Sequence, residues 1–432
     1  MDTVLLEAAP PAGSAPSAPA LPASPASPQA DAPRNFLARP ATRHRGTDID
    51  GASLAPEGLW VRDRDLTELI GSMTFEGALT YLWHDNEAND AREAQIHARL
   101  AALAAAFPGG TAAQQIAAQM GSAGVEMVFA AASGFLRGFD DALARTEGAP
   151  LDDADLDTLL VCLAAAPALM QAAIAARTPE FRGDADADAG GGGNANAHPV
   201  TSHAQRMLAL TGARRRDPVA RQAMDALLVA WHAGFGYITP TVLAPRVAIG
   251  TGVTLTQAIA AGFMASGPSH VGAALEAMTW LKALAASLDP DTLTSPDALH
   301  AAGAAAVDRI FDADGALLFG FGHPLFVADP RPPHMRKLFA AWGFDGPYLR
   351  LFDACCARAH ERKGLNPNID FLTAAALLEL GVDAPSWGVG VGLAARIAAM
   401  AAHAVERRRR PAFGVNSATA RKLLAAVPVG WL

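Results

Sequence analysis

Alanine-rich segments with a helical spacing of their apolar residues recur along most of this 432-residue chain. Alanine is the best helix former, whereas the β-branched residues that favour strands are sparse. In the clearest segments, apolar residues return at the i, i+3, i+4 and i+7 positions that share one helix face. These residues are Phe75, Ala78, Leu79, Leu82 and Trp83 in one segment and Met224, Leu227, Leu228 and Trp231 in another. The sequence therefore predicts a mainly α-helical fold.

The composition limits the possible functions. Hydrophobic residues make up 51% of the chain and charged residues 18%, so a large core can form. The net charge of −9 argues against a general nucleic-acid binder. No CxxC or HExxH spacing indicates a metal site, and no apolar run reaches the ~18 residues of a membrane-spanning helix. We therefore expect no metal, no nucleic acid and no membrane among its partners.

The three cysteines are Cys162, Cys355 and Cys356, and two of them are adjacent. This arrangement does not suggest a disulfide framework and fits a reducing compartment. The N-terminus also lacks the basic region of a secretory signal. We expect a cytoplasmic protein.

Two low-complexity segments interrupt the helical pattern. Residues 1–45 are rich in Ala, Pro and Ser, and a tail of this composition buries too little apolar surface to become ordered. Residues from about 183 to 199 combine Asp-Ala repeats with a run of glycines. We predict a disordered tail that folding does not need, and a flexible insertion.

Capping signals predict where several helices begin and end. Thr254 and Gln257 fit a capping box, and their helix is expected to stop at Gly267-Pro268. Ser269 is expected to cap the next helix, and Ser295, which precedes a proline, to cap another. Further helices are predicted over 334–342, 347–361, 370–380 and 389–407.

Two histidines stand in segments that could carry chemistry. His270 lies in Gly267–Ala273 and is expected in a first helical turn, where the positive helix end should keep its imidazole neutral. Taken alone, a surface histidine in a turn between helices is the more frequent explanation. His323 follows two glycines that let the backbone approach a ligand, and Arg331 could bind a carboxylate. An ordinary Gly-Pro turn explains this segment about equally well.

Two further features involve charged residues. Asp370, within Asn366–Phe371, is expected at the start of a helix, and taken alone it is more often an N-cap than a catalytic base. Arg396 and His403 share one face of a later helix. A buried arginine there would need an anion, but an exposed polar stripe is the more frequent explanation. Each feature is weak by itself.

The order and spacing of these four features resemble the citrate synthase family. The chain contains GPSHVGA, GFGHPLFVADPR, NPNIDF and RIAAMAAHAVE, in the order in which the family has GP.HGGA, GFGH with DPR, NVDF and an arginine helix ending in AH..E. Upstream, the segments that begin at Val61 and His232 resemble the family's entry segment and its DH…ARV segment. The resemblance covers roughly residues 58–420.

The resemblance implies an enzyme that joins an acyl-CoA, such as acetyl-CoA, to a 2-oxo acid, such as oxaloacetate. Asp370 would take a proton from the acyl group, His270 would stabilise the enolate, and His323 would polarise the keto carbonyl. Coenzyme A is then part of a substrate, and no cofactor is permanently bound. The implied substrate-binding residues are His232, Arg331, Arg396 and Arg410, with Phe319, Gly320, Phe321 and Gly322 against CoA.

The resemblance also implies an architecture of two helical domains. A large domain would combine residues 46–272 with 383–432, and a small domain of residues 273–382 would be inserted between them. Arg410 matches an arginine that the family supplies from the partner subunit. Together with the alanine-rich helices, whose small side chains permit close packing, this indicates a homodimer.

Departures from the family pattern leave the substrate and the direction of reaction open. Trp231 replaces the aspartate before the family's histidine, Val271 replaces the glycine after His270, Pro324 replaces a basic residue, and Ala399-Met400 replaces Gly-Trp. The interpretations are a synthase, a citryl-CoA lyase, and a catalytically silent relative that binds a ligand or partner. Because lyase-type relatives can lack the histidine of the GP.H segment, His270 favours the synthase.

Overall fold

A computed structural model describes most of the chain. The described ranges are 47–54, 57–106, 128–131, 151–177, 201–236, 239–313 and 316–408, with a few isolated residues elsewhere. The predicted tail at 1–45, the predicted insertion at 183–199 and the predicted substrate-binding residue Arg410 lie outside the described residues.

A small antiparallel sheet opens the described chain. The strand β1 (Asp50–Leu54) pairs with β2 (Glu57–Val61), and β2 pairs with β3 (Arg64–Asp65), so the strand order is β1-β2-β3. The register places Asp50 opposite Val61. Both side chains are fully buried, although one of them is a carboxylate.

Helices make up nearly all the rest of the described structure, which confirms the predicted mainly α-helical class. A 3₁₀ turn at Asp85–Glu87 follows the second helix. The α-helices are α1 (Leu66–Leu69), α2 (Phe75–His84), α3 (Asp90–Ala106), α4 (Ala154–Arg177), α5 (His203–Leu210), α6 (Pro218–His232), α7 (Pro240–Ile249), α8 (Leu255–Met264), α9 (Ala273–Ala286), α10 (Pro290–Thr294), α11 (Pro296–Asp312), α12 (Arg331–Ala341), α13 (Pro347–Lys363), α14 (Ile369–Glu379) and α15 (Ser386–Arg408).

The long helix α15 forms the centre of the core and packs against α4, α6, α7 and α8. Its glycines permit this packing: a Cβ atom on Gly392 would lie 3.2 Å from Trp231 of α6, and one on Gly390 would lie 3.3 Å from Met170 of α4. By length and composition α4 and α15 could each cross a membrane, although the sequence predicted no membrane-spanning helix. However, 78% and 94% of their apolar windows are buried inside the fold. Burial of this kind is typical of core helices.

The predicted helix signals are partly confirmed. The capping box of Thr254 and Gln257 starts α8, and the Ser295 side chain caps α11. The predicted helices from 334 to 407 correspond to α12–α15, with ends displaced by at most about one turn. The prediction for Ser269 is wrong: α8 ends at Met264 and α9 begins only at Ala273, because the residues between them fold into a tight turn.

The predicted domain division falls at the start of α9 and in the loop between α14 and α15. Within the predicted small domain, α11 packs along α13, and α9 packs along α14. A side-chain hydrogen bond joins the two segments, since Nε1 of Trp231 donates to Oγ1 of Thr373 at 2.8 Å. The division into two domains stays a prediction.

A buried polar cluster lies between α2 and α5. The ring of His203 stacks on Phe75 with centroids 4.8 Å apart, and within the described structure neither ring nitrogen has a hydrogen-bond partner. The backbone N–H of His203 donates to Glu76 at 2.8 Å. Burial lowers the pKa of His203 to about 4. The folded protein therefore keeps His203 uncharged at neutral pH.

Replacing His203 with leucine should reduce the loss of stability in acid. The unfolded chain binds a proton at His203 below its ordinary pKa of 6.5, whereas the folded chain binds it only near 4, so the wild type loses stability as the pH falls through this interval. Once the pH is below both pKa values, this effect of His203 lowers the unfolding free energy by on the order of 3 kcal/mol. Urea unfolding at neutral pH and at about pH 5 measures it. An equal loss of unfolding free energy in both proteins would contradict the prediction.

Candidate active site

Two buried arginines contact the ring of Phe235. The guanidinium carbon of Arg331, at the start of α12, lies 5.1 Å from the ring centroid, and that of Arg396, in α15, lies 5.6 Å away. Both charges also act on Asp370, where they oppose the effect of burial on its pKa. The segments that contain Arg331, Asp370 and Arg396, three of the four candidate segments in the sequence, therefore meet around these two side chains.

Arg396 is a buried cation whose polar contacts in the described structure are all neutral. Its Nε donates to the carbonyl oxygen of Trp231 at 2.7 Å, and its Nη1 donates to Oγ1 of Thr241 at 3.4 Å. Burial lowers its pKa to about 9, and the charge of Arg331 adds to this effect. A buried charge without a counter-ion is costly, so the guanidinium is arranged to receive an anion. The exposed polar stripe considered for this helix is excluded.

Arg331 differs from Arg396 because it already has a carboxylate partner. Its Nε and Nη2 donate to the two oxygens of Asp329 at 2.9 and 2.7 Å, and its Nη1 donates to the carbonyl oxygen of Ala230 at 3.3 Å. Asp329 also accepts from the backbone N–H of Ile369 at 3.0 Å. The ion pair therefore ties α12 to the first turn of α14, where Asp370 lies. A substrate carboxylate at Arg331 would therefore contact a guanidinium that is already paired with Asp329.

Asp370 does not cap its helix, contrary to the more frequent explanation of such a residue. The cap of α14 is Asn368, whose Oδ1 accepts from the backbone N–H of Asp370 at 2.9 Å. The Asp370 carboxylate is therefore not used to cap the helix. Its Oδ1 is inaccessible to solvent and, within the described structure, has no hydrogen-bond partner.

Burial raises the pKa of Asp370 to about 7. The positive charges of Arg331 and Arg396 limit this rise, and the nearby charge of Asp329 adds to it. A carboxylate with a pKa near neutrality is a stronger base than an exposed one and still loses its proton readily. The site therefore holds a group suited to remove a proton from carbon.

The segment Phe319–Gly322, which the resemblance places against CoA, is fixed beside the same helix. Asn368 donates from its backbone N–H to the carbonyl oxygen of Gly320 and from its side chain to that of Gly322, both at 2.9 Å. Gly320 has a φ of +81°, and a Cβ atom there would lie 2.6 Å from Phe371. A side chain at this position would force the loop away from α14. Gly320 thus lets the loop backbone run directly against the first turn of α14, which contains Asp370.

His323 is held as one defined tautomer. Its Nδ1 accepts from the backbone N–H of Leu325 at 3.1 Å, so the proton of the neutral ring is on Nε2. The ring stacks on Phe326 with centroids 4.7 Å apart. Burial and then the charge of Arg331 lower the pKa of His323 below its ordinary value. The half-buried imidazole is therefore a neutral hydrogen-bond donor.

His270 lies in the tight turn before α9 and not in a helical turn, which corrects the prediction. The backbone of Gly267 exchanges two hydrogen bonds with that of His270, each at 2.9 Å. Its pKa is lowered to about 4, as the prediction of a neutral ring requires, but the causes are burial and the charge of Arg396. Nε2 lies 3.4 Å from Oγ1 of Thr241. Because Thr241 also accepts from Arg396, it links the histidine to the arginine.

His232 is the last residue of α6 and is fully buried. Its Nδ1 donates to the carbonyl oxygen of Val229 at 2.6 Å, which leaves Nε2 without a partner in the described structure. Burial lowers its pKa to about 4. A carboxylate placed beside Nε2 would raise this pKa and favour protonation of the ring.

Four contributing residues were not assigned a role from the sequence. Thr241 bridges His270 and Arg396, Phe235 contacts both arginines, Asn368 caps α14, and Asp50 binds the turn after His232. The asparagine had a local signal, because it precedes an acidic residue in a predicted first turn. The other three act through contacts with residues distant in sequence, which no local pattern shows.

The fold and the site define a mainly α-helical protein in which a buried arginine without a carboxylate partner in the described structure, an aspartate of raised pKa and histidines of lowered pKa lie in one region. The family model for the citrate synthase C-terminal domain matches residues 38–413. Because this match spans most of the chain, the chain belongs to the citrate synthase family. A search among curated protein sequences found no match.

Solved structures share the fold. Citrate synthase from Thermotoga maritima MSB8 aligns with a TM-score of 0.60 at 16% identity, over 83% of this chain and 88% of that one. Citrate synthase from Pyrobaculum aerophilum gives 0.62 at 19% identity, over 84% and 86%. Citrate synthase from Thermoplasma acidophilum, in a ternary complex with carboxymethyl coenzyme A and oxaloacetate, gives 0.62 at 16%, over 86% and 91%. At these identities the likeness shows the fold alone.

Two substitutions in the first turn of α14 should affect stability differently. Replacing Asn368 with alanine removes the helix cap and the bond to Gly322, so the unfolding free energy should fall by about 1–2 kcal/mol. Replacing Asp370 with asparagine removes a buried charge and no cap, so it should cause no such loss. Urea unfolding of both variants tests this. A larger loss for Asp370→Asn than for Asn368→Ala would mean that the aspartate has the structural role.

Proposed function

We propose that this protein condenses acetyl-CoA, or another short acyl-CoA, with oxaloacetate or a similar 2-oxo acid and releases CoA. The observation that supports this best is the position of Asp370. Its carboxylate has an unpaired oxygen and a pKa of about 7, and it lies near Arg396, a buried cation without a carboxylate partner in the described structure. A base for a carbon acid and a site for an anionic acceptor are therefore adjacent.

The first step forms the enolate of the acyl-CoA. Asp370 takes a proton from the carbon next to the thioester, and negative charge develops on the thioester oxygen. A neutral His270 donates a hydrogen bond to that oxygen. Its low pKa matters here, because a neutral imidazole can stabilise an enolate without fully protonating it. The thioester lies against the loop that contains Gly320 and Gly322.

The second step forms the carbon–carbon bond. Nε2–H of His323 donates to the keto oxygen of the 2-oxo acid and makes its carbonyl carbon electrophilic. The enolate carbon attacks that carbon, the carbonyl π electrons move to oxygen, and the new alkoxide takes the Nε2 proton of His323. The proton that Asp370 removed from the acyl group then returns to His323. Water then hydrolyses the thioester, which gives the free acid and CoA. Excluding bulk water until this stage protects the enolate from reprotonation.

The anionic groups of the 2-oxo acid are bound by Arg396, with His232 and Arg331 beside it. Arg396 contributes most, because its guanidinium donates to no carboxylate in the described structure and is held in place by the carbonyl of Trp231. His232 takes up a proton when a carboxylate approaches Nε2. Arg410 of a partner subunit adds a further positive charge. Coenzyme A is a substrate, and no permanently bound cofactor takes part.

The Asp370→Asn variant tests the proposed reaction. It keeps the shape of the side chain and removes the base, so kcat should fall by at least ~10²-fold. The measurement is release of free CoA from acetyl-CoA with oxaloacetate. Exchange of acetyl-CoA methyl protons with deuterated solvent, in the presence of an unreactive oxaloacetate analogue, should stop as well.

The control for this experiment is Asp345→Asn, which changes a carboxylate in the loop between α12 and α13 that pairs with Arg336. Its turnover should remain within about twofold of the wild type, as expected for a partly exposed ion pair. Near-normal turnover of a folded Asp370→Asn variant would exclude the proposed mechanism. Wild-type protein that cleaves citryl-CoA and does not condense acetyl-CoA would identify a lyase. The absence of both reactions would favour a silent relative.

We also propose that the protein is a homodimer. Leu243 and Val247, one turn apart on α7, are 44% and 62% exposed, and Met264 at the end of the neighbouring α8 is 52% exposed. Apolar side chains grouped on adjacent helices favour burial against a second copy.

Replacing Val247 with glutamate should dissociate this dimer, because the interface would have to bury an unpaired charge. Light scattering should give twice the 44.6 kDa chain mass for the wild type and a smaller mass for the variant at micromolar concentration. Val327→Glu is the matched control, because Val327 is 81% exposed on a loop remote in sequence from α7. A wild type that is monomeric and fully active, or a Val247→Glu variant that stays dimeric, would contradict this arrangement.

A further inference from the structure

A buried carboxylate from the N-terminal sheet binds the turn that follows His232. Asp50, the first residue of β1, is fully buried. Its oxygens accept from the backbone N–H of Gly234, at 2.6 Å, and from that of Gly236. Nε2 of His403 on α15 donates to the same carboxylate at 2.9 Å. Three donors from two separate parts of the chain therefore converge on one side chain.

The partners of Asp50 are themselves fixed by buried contacts. Nδ1 of His403 lies 3.3 Å from Nη1 of Arg246, which can only donate, so Nε2 carries the proton that His403 donates to Asp50. Arg246 forms an ion pair with Glu406, and Glu406 accepts from the backbone N–H of Asp48 at 2.9 Å. Burial alone would raise the pKa of Asp50, but its pairing with His403 and the glycine N–H donors keep the pKa below its ordinary value.

The turn that Asp50 binds has an unfavourable backbone. Phe235 has a φ of +59° and Gly236 a φ of +80°, so two consecutive residues adopt the left-handed conformation. That conformation is costly for phenylalanine and persists only where surrounding contacts impose it. Gly234 on the other side has no room for a side chain, since a Cβ atom would lie 2.5 Å from Val242. The two hydrogen bonds to Asp50 flank the strained residue.

The position of Phe235 matters because its ring contacts both Arg331 and Arg396. If the turn relaxed to an ordinary backbone conformation, the ring would leave the two guanidinium groups and open their site to water. The same turn directly follows His232, so its path also affects where that ring lies. The hydrogen bonds of Asp50 therefore fix the turn that contains Phe235 and follows His232.

We propose that Asp50 is a positioning residue for the 2-oxo acid site: it holds Phe235 in the left-handed conformation that keeps its ring against Arg331 and Arg396. The inference rests on the proposed function for the identity of the ligand. Asp50 should therefore affect binding of the 2-oxo acid and should not affect binding of the acyl-CoA.

Asp50→Asn tests the proposal, because an amide has one acceptor oxygen and cannot serve all three donors. Calorimetric titration of the full chain with oxaloacetate should give a Kd at least about tenfold higher than that of the wild type, the scale of a lost charge-assisted hydrogen bond. The KM for acetyl-CoA should stay within about twofold. Asp48→Asn, the same change two residues away on an exposed side chain, should bind oxaloacetate as the wild type does.

A double-mutant cycle separates positioning from a general loss of structure. Phe235→Leu removes the aromatic face but leaves Asp50 in place, so it should also weaken oxaloacetate binding. If Asp50 acts through Phe235, the double variant Asp50→Asn/Phe235→Leu should have a Kd for oxaloacetate only slightly higher than that of the single variant that binds oxaloacetate less tightly. Additive effects, or equal increases in the KM of both substrates, would overturn the proposal.

Thr47→Val provides a milder test if Asp50→Asn does not fold. Oγ1 of Thr47 accepts from the backbone N–H of Asp50 at 3.2 Å and donates to its carbonyl oxygen at 2.9 Å, so valine loosens the carboxylate without removing it. Oxaloacetate binding should weaken severalfold, and unchanged binding would overturn the proposal. Wild-type protein that binds oxaloacetate without releasing CoA would refute the proposed function and leave the role of Asp50 intact. Wild-type protein that does not bind oxaloacetate would refute both.

Discussion

The cost of burying the charge of Arg396 determines how the centre of this protein is arranged. The guanidinium lies on a core helix, between the rings of Trp231 and Phe235 at 5.5 and 5.6 Å, and it donates to a backbone carbonyl and a hydroxyl. None of these groups neutralises it. Burial in a low-dielectric environment lowers the pKa of such a group, and its charge attracts any carboxylate that reaches it. The core thus contains a guanidinium whose hydrogen-bond partners in the described structure are all neutral.

The neighbouring ionisable groups are arranged around this positive charge. The arginines limit the rise in the pKa of Asp370 that burial causes, so that its carboxylate remains available near neutral pH. They also help to keep His270 and His323 uncharged. One carboxylate base and neutral imidazole donors can then coexist in the same region. Asp329 compensates Arg331 and, through the backbone of Ile369, fixes the start of the helix that bears the base.

Two departures from the family pattern have visible structural consequences. Trp231, where the family has aspartate, is fixed by a hydrogen bond to Thr373 and packs 3.2 Å from the position that a Cβ atom on Gly392 would take. It therefore joins α6, α14 and α15 at the level of the anion site. Val271, where the family has glycine, has a φ of +72°, which is unfavourable for a β-branched residue. The turn that holds His270 therefore contains strain that a glycine would not have.

The sequence by itself determined the helical class, most helix positions and the identity of the family. These properties depend on local propensity, periodicity and the order of short motifs. The sequence left open whether Asp370 caps its helix, and it misplaced His270 in a helix. Tertiary structure decided both, because Asn368 takes the cap and Gly267 closes a turn through backbone hydrogen bonds. It also decided the charge states, since burial and the field of distant arginines set the pKa values. The role of Asp50 depends on contacts across more than 180 residues of chain, and no local pattern encodes such contacts.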